Sequence, residues 1–359
     1  MKKLKLNNNK RIFVYKYLKL FFILTINIFN LIVKNKNKKK IGVIGLAHSQ
    51  NIGNILLKYA ISIKLCQLGL EPYIIGKKYK GNDISLLQQT TKVRIINNSF
   101  TEIKENEYDI LMVNSDQTWR KWDKDFYDVA FLKFANNWNI PKLVYAASLG
   151  FDTWEFNKKD ENIAKYLLKN FTAISVREIN SVKLIKDHLD IKSIFVLDPT
   201  FLIDKKYYLN LIKDFKNNDD FINQNFILVY SVTNSKILKN FLKKISKKYK
   251  IYFINTRTKN NIKKFIYGIY HCKAVITDSF HGNIFSIIFN KPFISFVYKT
   301  KWKERFNTLK TIFNLHNRIF EYNSIPNIEL LERPLNLSKN LLEKLKMKSI
   351  EFLKNNLNK

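Results

Sequence analysis

The chain has 359 residues, 46% of them apolar and 14% aromatic, which excludes global disorder and is long enough to favour two domains over one. Its two cysteines, Cys66 and Cys272, stand far apart without metal-site spacing, so neither a disulfide framework nor secretion finds support and a reducing compartment is the simpler expectation. The formal net charge of +34 points to a polyanion, to compositional bias, or to both. Lysine supplies the excess, alongside abundant Asn, Ile and Phe, whereas arginine, the residue of specific base contacts, is scarce. Bias plus a membrane-facing segment is therefore preferred, and no nucleic-acid partner is expected.

Residues 1–40 form the first unit. No acidic residue precedes Glu71, while Lys2, Lys3, Lys5, Lys10 and Arg11 crowd the start and lysines from Lys34 to Lys40 close an apolar run over Ile12–Val33. A signal peptide would need a small-residue cleavage site, which is missing. A spanning helix needs about 20 apolar residues, but at the helical period Lys16, Lys19, Asn27, Asn30 and Lys34 fall on one narrow stripe. That pattern predicts a helix lying on an anionic membrane surface; packing on its own domain is the competing reading.

From Lys40 short apolar strands alternate with helical segments. Strands are expected over Ile41–Leu46, Pro72–Ile75, Asp109–Val113, Lys142–Ala146, Ala173–Val176 and Ser193–Leu197, with helices over Asn54–Leu68, Ala164–Asn170 and Ile179–His188. The alternation restarts with strands Phe226–Tyr230, Ile251–Asn255, Ala274–Thr277 and Phe293–Val297 and helices Lys236–Tyr249, Lys263–His271 and Asn283–Phe289. A polar stretch from Lys205 to Gln224 reads as the hinge, and Ser338–Leu353 as a closing helix. The expected architecture is α/β, two Rossmann-like domains facing a cleft: residues 41–204 and 225–335, with residues 336–359 closing the chain.

Chemistry concentrates where strands end. After the first strand, Asn51, Gly53 and Asn54 open a helix whose free N–H groups suit an anion, although no dinucleotide fingerprint is present. After the Asp109–Val113 strand, Asp116, Gln117 and Trp119 offer acceptors and a flat ring for a sugar, or else a capped turn with a core tryptophan. Arg177 at a strand end suits clamping a carboxylate or phosphate, unless it merely pairs with Glu178. The sharpest cluster is Thr277–Asn283, where His281 can move a proton and Asp278 can fix its tautomer; capping by Asp278 and Ser279 is the bland alternative. A serine hydrolase lacks its G-x-S-x-G elbow, and His271, Cys272 and His281 lack a zinc spacing, so no metal is expected.

In chain order these clusters resemble the polysaccharide pyruvyl transferase family over about Ile41–Arg318. The matching segments are Asn51-Ile52-Gly53 with Leu56–Ala60, Asn114–Trp119, Ala146–Gly150, Ser175–Glu178, Leu197-Asp198-Pro199, Asp278–Gly282 and Lys291–Phe293. Asn114 stands where the family has Gly, Leu57 where many relatives have Gln, and Ser279 where some carry Arg. The resemblance implies an architecture similar to GT-B glycosyltransferases, phosphoenolpyruvate as donor with no further cofactor, and a pyruvate ketal built on a glycan or lipid-linked sugar. It implies that His281 transfers the proton and that Arg177 holds the donor, with Ser279, Asn54 and Gly53 beside it. Asp116, Gln117 and Trp119 then face the acceptor, and Asp278, Glu178 and Asn51 support the site. The corresponding location is the cytoplasmic face of the membrane. A nucleotide-sugar glycosyltransferase of the same architecture, a basic nucleic-acid-binding protein and a catalytically dead scaffold are the alternatives.

Overall fold

The computed structural model describes residues 38–46, 51–77, 85–121, 124–215, 225–233, 235–255, 261–297, 303–322 and 324–357. The amphipathic segment expected before Lys38, and His48-Ser49-Gln50, lie outside the described residues. The first sheet contains β1 (Lys40–Ile44), β2 (Glu71–Lys77), β3 (Lys92–Ile96), β4 (Ile110–Val113), β5 (Lys142–Ala147), β6 (Ala173–Val176) and β7 (Ile194–Phe195). The second contains β8 (Phe226–Ser231), β9 (Lys250–Asn255), β10 (Ala274–Thr277), β11 (Phe293–Val297) and β12 (Ile319–Glu321). The helices are α1 (Ile52–Gln67), α2 (Ser85–Thr90), α3 (Phe126–Phe131), α4 (Lys158–Leu168), α5 (Ile179–Leu189), α6 (Lys205–Asn210), α7 (Lys236–Ile245), α8 (Asn261–His271), α9 (Phe280–Ile288), α10 (Lys303–Phe313) and α11 (Lys339–Leu357).

Both sheets are parallel, in the orders β3-β2-β1-β4-β5-β6-β7 and β12-β11-β10-β8-β9. Helices cover both faces, so the central strands read as unbroken apolar runs: β4 is Ile-Leu-Met-Val and every residue is buried. In each sheet the connection reverses direction once, between β1 and β4 and between β8 and β10. Crevices open beyond the strand ends at such points, and those are where the polar motifs sit.

Several boundaries moved for local reasons. Helix α4 starts at Lys158, earlier than the apolar pattern indicated, because Asn157 accepts the Asp160 N–H at 2.9 Å and caps a polar first turn. Helix α9 starts at Phe280, since Ser279 caps it through the Gly282 N–H. The expected hinge is only partly a linker: its first residues form α6, and Tyr208 is fully buried, edge-on to Phe285 of the second domain at 4.9 Å and 6.1 Å from Tyr59 of the first. Residues 216–224 lie outside the described residues. The apolar face of α1 (Ile52, Ile55, Leu56 and Tyr59) shares one cluster with Leu228, Phe265 and Phe285, so the domains meet on a dry seam. The closing helix crosses back: Ile350, Leu353 and Leu357 of α11 pack among Ile41, Val43 and Met112, and the Leu197 N–H donates to Ser349 Oγ at 2.9 Å.

Candidate active site

The strand-end motifs first lock one another. Beside β5 the register with β6 shifts between Val144 and Ala147, and Ser175 Oγ fills the gap by accepting from Ala146 N at 3.1 Å and donating to Val144 O at 3.0 Å. The bulge carries Ser148 outward, where its N–H donates to Asp116 O at 3.0 Å and its hydroxyl to Glu178 Oε1 at 2.5 Å. Asp116 has φ +102, a strained conformation for a residue with a side chain and one that concentrates at functional sites. The strain aims its carboxylate at α1: Oδ2 accepts from Asn54 Nδ2 at 3.0 Å, and Oδ1 accepts from Gln117 N at 2.9 Å.

Arg177 is the hub of this layer. Its buried guanidinium donates to Asp198 Oδ2 at 2.9 Å and reaches Glu178 Oε1 at 3.4 Å and Asp116 Oδ1 at 3.5 Å. Burial alone would lower its pKa, but Asp198, Asp116 and Glu178 outweigh that and raise it, so the cation is permanent. Asp198 caps its own turn by accepting from Thr200 N and Oγ1 at 3.0 and 2.7 Å. Burial also pushes the Asp116 carboxyl up, yet Arg177, His281 and the Asn54 amide together hold it below its usual range. Lys58, inside the Leu56–Ala60 motif, donates to Leu46 O at 2.9 Å; burial lowers its ammonium to about 7 against the pull of Asp116.

The second domain contributes His281 from the first turn of α9. Its neighbour Gly282 lies where a Cβ would stand 2.2 Å from Thr277 Oγ1, which lets the helix start tight against β10. The imidazole crosses the seam and lies on Gly53 of α1, where a Cβ would stand 2.1 Å from Nδ1. Its Nε2 is 3.8 Å from Asp198 Oδ2, too long for a hydrogen bond. His281 Nε2, Asn54 Oδ1 and both amide atoms of Asn114 are buried without a hydrogen-bond partner among the described residues. Buried polar atoms are normally satisfied, so each of these retains hydrogen-bonding capacity for a ligand or water. Burial lowers the His281 pKa, with Asp198 pulling upward and Arg177 downward, and the ring is neutral near pH 7.

Three sequence-predicted roles require revision. Trp119 does not present a flat face to a sugar: it is 1% exposed, its Nε1 donates to Ala130 O at 3.1 Å, and Phe131 packs edge-on to it. Asp278 does not orient His281; it accepts from Ser231 Oγ at 2.8 Å, Val232 N at 2.6 Å and the Thr233 hydroxyl, and so staples the loop after β8. The carboxylate beside His281 is Asp198, from the Leu-Asp-Pro segment of the other domain. Arg177 is already engaged by three carboxylates and is not an open clamp. Ser279 and Asn51 are helix caps, the latter accepting from Asn54 N at 3.2 Å, while Gln117 Oε1 accepts from Arg120 at 3.3 Å. Gly53, Asn54, Asp116, Arg177, Glu178 and His281 do converge. Arg305 in α10 joins them, close enough to Arg177, Asp116 and Glu178 for each to shift its titration, and nothing in its polar surroundings in the sequence marked it.

Two facing parallel-sheet domains with a cleft between the strand ends define the GT-B class. Similar solved structures include S. aureus MnaA with UDP (TM-score 0.52, 16% identity, 88% of this chain and 91% of that one) and a putative UDP-N-acetylglucosamine 2-epimerase from Listeria monocytogenes (0.53, 10%, 87% and 91%). Arabidopsis thaliana UGT89C1 complexed with UDP-L-rhamnose is also similar (0.50, 10%, 89% and 96%). At these identities the likeness is one of fold. The model of the polysaccharide pyruvyl transferase family matches residues 14–300, and the chain belongs to that family. No curated protein matches it.

Proposed function

We propose that the protein transfers pyruvate from phosphoenolpyruvate to a sugar of a cell-surface polysaccharide or its lipid-linked precursor, forming a pyruvate ketal and releasing phosphate. The observation that carries this reading is the seat of His281, buried at the seam with Nε2 unpartnered among the described residues and 3.8 Å from Asp198. A neutral imidazole is fit to take the proton of an attacking hydroxyl, and Asp198 stabilises the imidazolium that results. The donor's methylene carbon gains a proton and becomes methyl, while its C2 accepts one sugar oxygen. A second sugar oxygen then displaces phosphate from C2. Of the two hydroxyl protons released, one balances the new methyl and the other leaves on phosphate.

The test is phosphate release from phosphoenolpyruvate by the purified protein with glycan extracts from cell envelopes. Acceptor-dependent release is expected. Thermal stabilisation by a nucleotide sugar but not by phosphoenolpyruvate would replace this reading with a glycosyltransferase. Membership in a glycan-modifying family and the basic stripe before Lys38 also support work at the cytoplasmic face of an anionic membrane. No helix among the described residues is long and apolar enough to cross one. Deleting residues 1–34 is expected to release the protein from the membrane fraction; unchanged pelleting would discard surface anchoring.

A further inference from the structure

The first domain's cationic hub has little charge to spare. Arg177 lies within 3.5 Å of Asp198, Glu178 and Asp116, so the cluster is net negative even if burial keeps Glu178 protonated. A phosphate monoester carries up to two negative charges and needs cations not already neutralised.

Arg305 meets that need. It projects from the first turn of α10, a helix held against α5 of the other domain by the Ile179 N–H, which donates to Thr308 Oγ1 at 3.2 Å, and by the Asn180 N–H, which donates to Glu304. Its guanidinium carbon is 5.3 Å from the centre of the Phe280 ring, and that of Arg177 is 4.8 Å from the same centre. Unlike Arg177, it has no carboxylate within 4.0 Å among the described residues, and its buried Nε has no hydrogen-bond partner there. Two cations sharing one aromatic ring at the domain seam repel each other unless an anion lies between or beside them. Burial, with Arg177 adding to it, brings Arg305 down to about 10, still charged at neutral pH. The Phe280 and His281 ring centres are 5.5 Å apart, and Arg305 is close enough to the imidazole to lower its pKa.

We propose that Arg305 is the anion clamp of the cleft, holding a phosphate monoester from the second domain while Arg177 organises the first. The identity of the ligand as a donor phosphate rests on the function proposed above; the clamp itself does not. Titration calorimetry with inorganic phosphate and with phosphoenolpyruvate, on wild type, R305Q and R305K, tests it without turnover. R305Q is expected to weaken both by on the order of 10- to 100-fold, and R305K by less, because lysine keeps the charge but not the fork. Without ligand, R305Q is expected to melt no earlier than wild type, since a half-buried cation with no carboxylate partner among the described residues has been removed. Wild type that binds neither ligand, or R305Q that binds phosphate within twofold of wild type, would overturn the clamp. So would early melting of both variants in proportion to their lost binding. Arg305-dependent phosphate binding without turnover on any glycan would keep the clamp and remove the pyruvyl reading.

Discussion

Replacing His281 with glutamine is expected to lower phosphate release by on the order of 10²- to 10⁴-fold, the usual worth of a positioned proton-transfer group, while phosphoenolpyruvate still binds. The substitution keeps a polar group of similar reach at a position that is 8% exposed. The same ring predicts the acid limb of the pH profile. Burial favours the neutral imidazole and lowers its pKa, so kcat/KM is expected to fall only below pH about 6.5, the ordinary histidine value. An acid limb above that value, or a glutamine variant that keeps wild-type turnover, would remove His281 from the chemistry.

Gly53→Ala is expected to be nearly as damaging, by a purely steric route. In an exposed helix the change would stabilise by about 1 kcal/mol. Here the new methyl would sit 2.1 Å from His281 Nδ1 and 2.4 Å from its Cγ. Neither side yields easily, because Ile52–Ile61 of α1 and Phe280–Ile287 of α9 are buried throughout. The domains must part locally, at a cost of about 1–3 kcal/mol, and the imidazole leaves its place over Asp198. Melting and turnover should both fall. Combining it with His281→Ala should restore most of the stability and none of the activity. A Gly53→Ala protein that melts at or above wild type with normal turnover would show that the ring does not lie on α1.

These expectations separate what the sequence carries from what only the fold reveals. The central strands were legible because a parallel sheet buried on both faces demands unbroken apolar runs, as in Ile110–Val113. The edge strands β3 and β12 were not, since Lys92–Ile96 and Ile319–Glu321 are short and only partly buried. Helix α10 escaped for a related reason: it seals a domain seam with Glu304 and Thr308, and a seam of mixed polarity leaves no clean period. Arg305 was lost with it. His281 was legible because a histidine beside glycine at a strand end is rare in this chain. Its acidic neighbour was misread because proximity in sequence favoured Asp278, whereas the helix start turns that side chain back toward β8 and Asp198 arrives across the cleft. For Trp119, an aromatic ring after a strand looks the same in sequence whether it stacks on a sugar or fills a core.

The return of α11 to the first domain has a consequence for how the chain is made. Ile350, Leu353 and Leu357 complete the apolar layer around Ile41, Val43 and Met112. The domain begun first during synthesis is therefore finished last, after the second has been threaded between its parts. Until those C-terminal residues emerge from the ribosome, the first sheet exposes an uncovered apolar face, the kind of surface that chaperones hold. A chain cut just before Ser349 would keep every residue of the cleft and still have an open seam in its core.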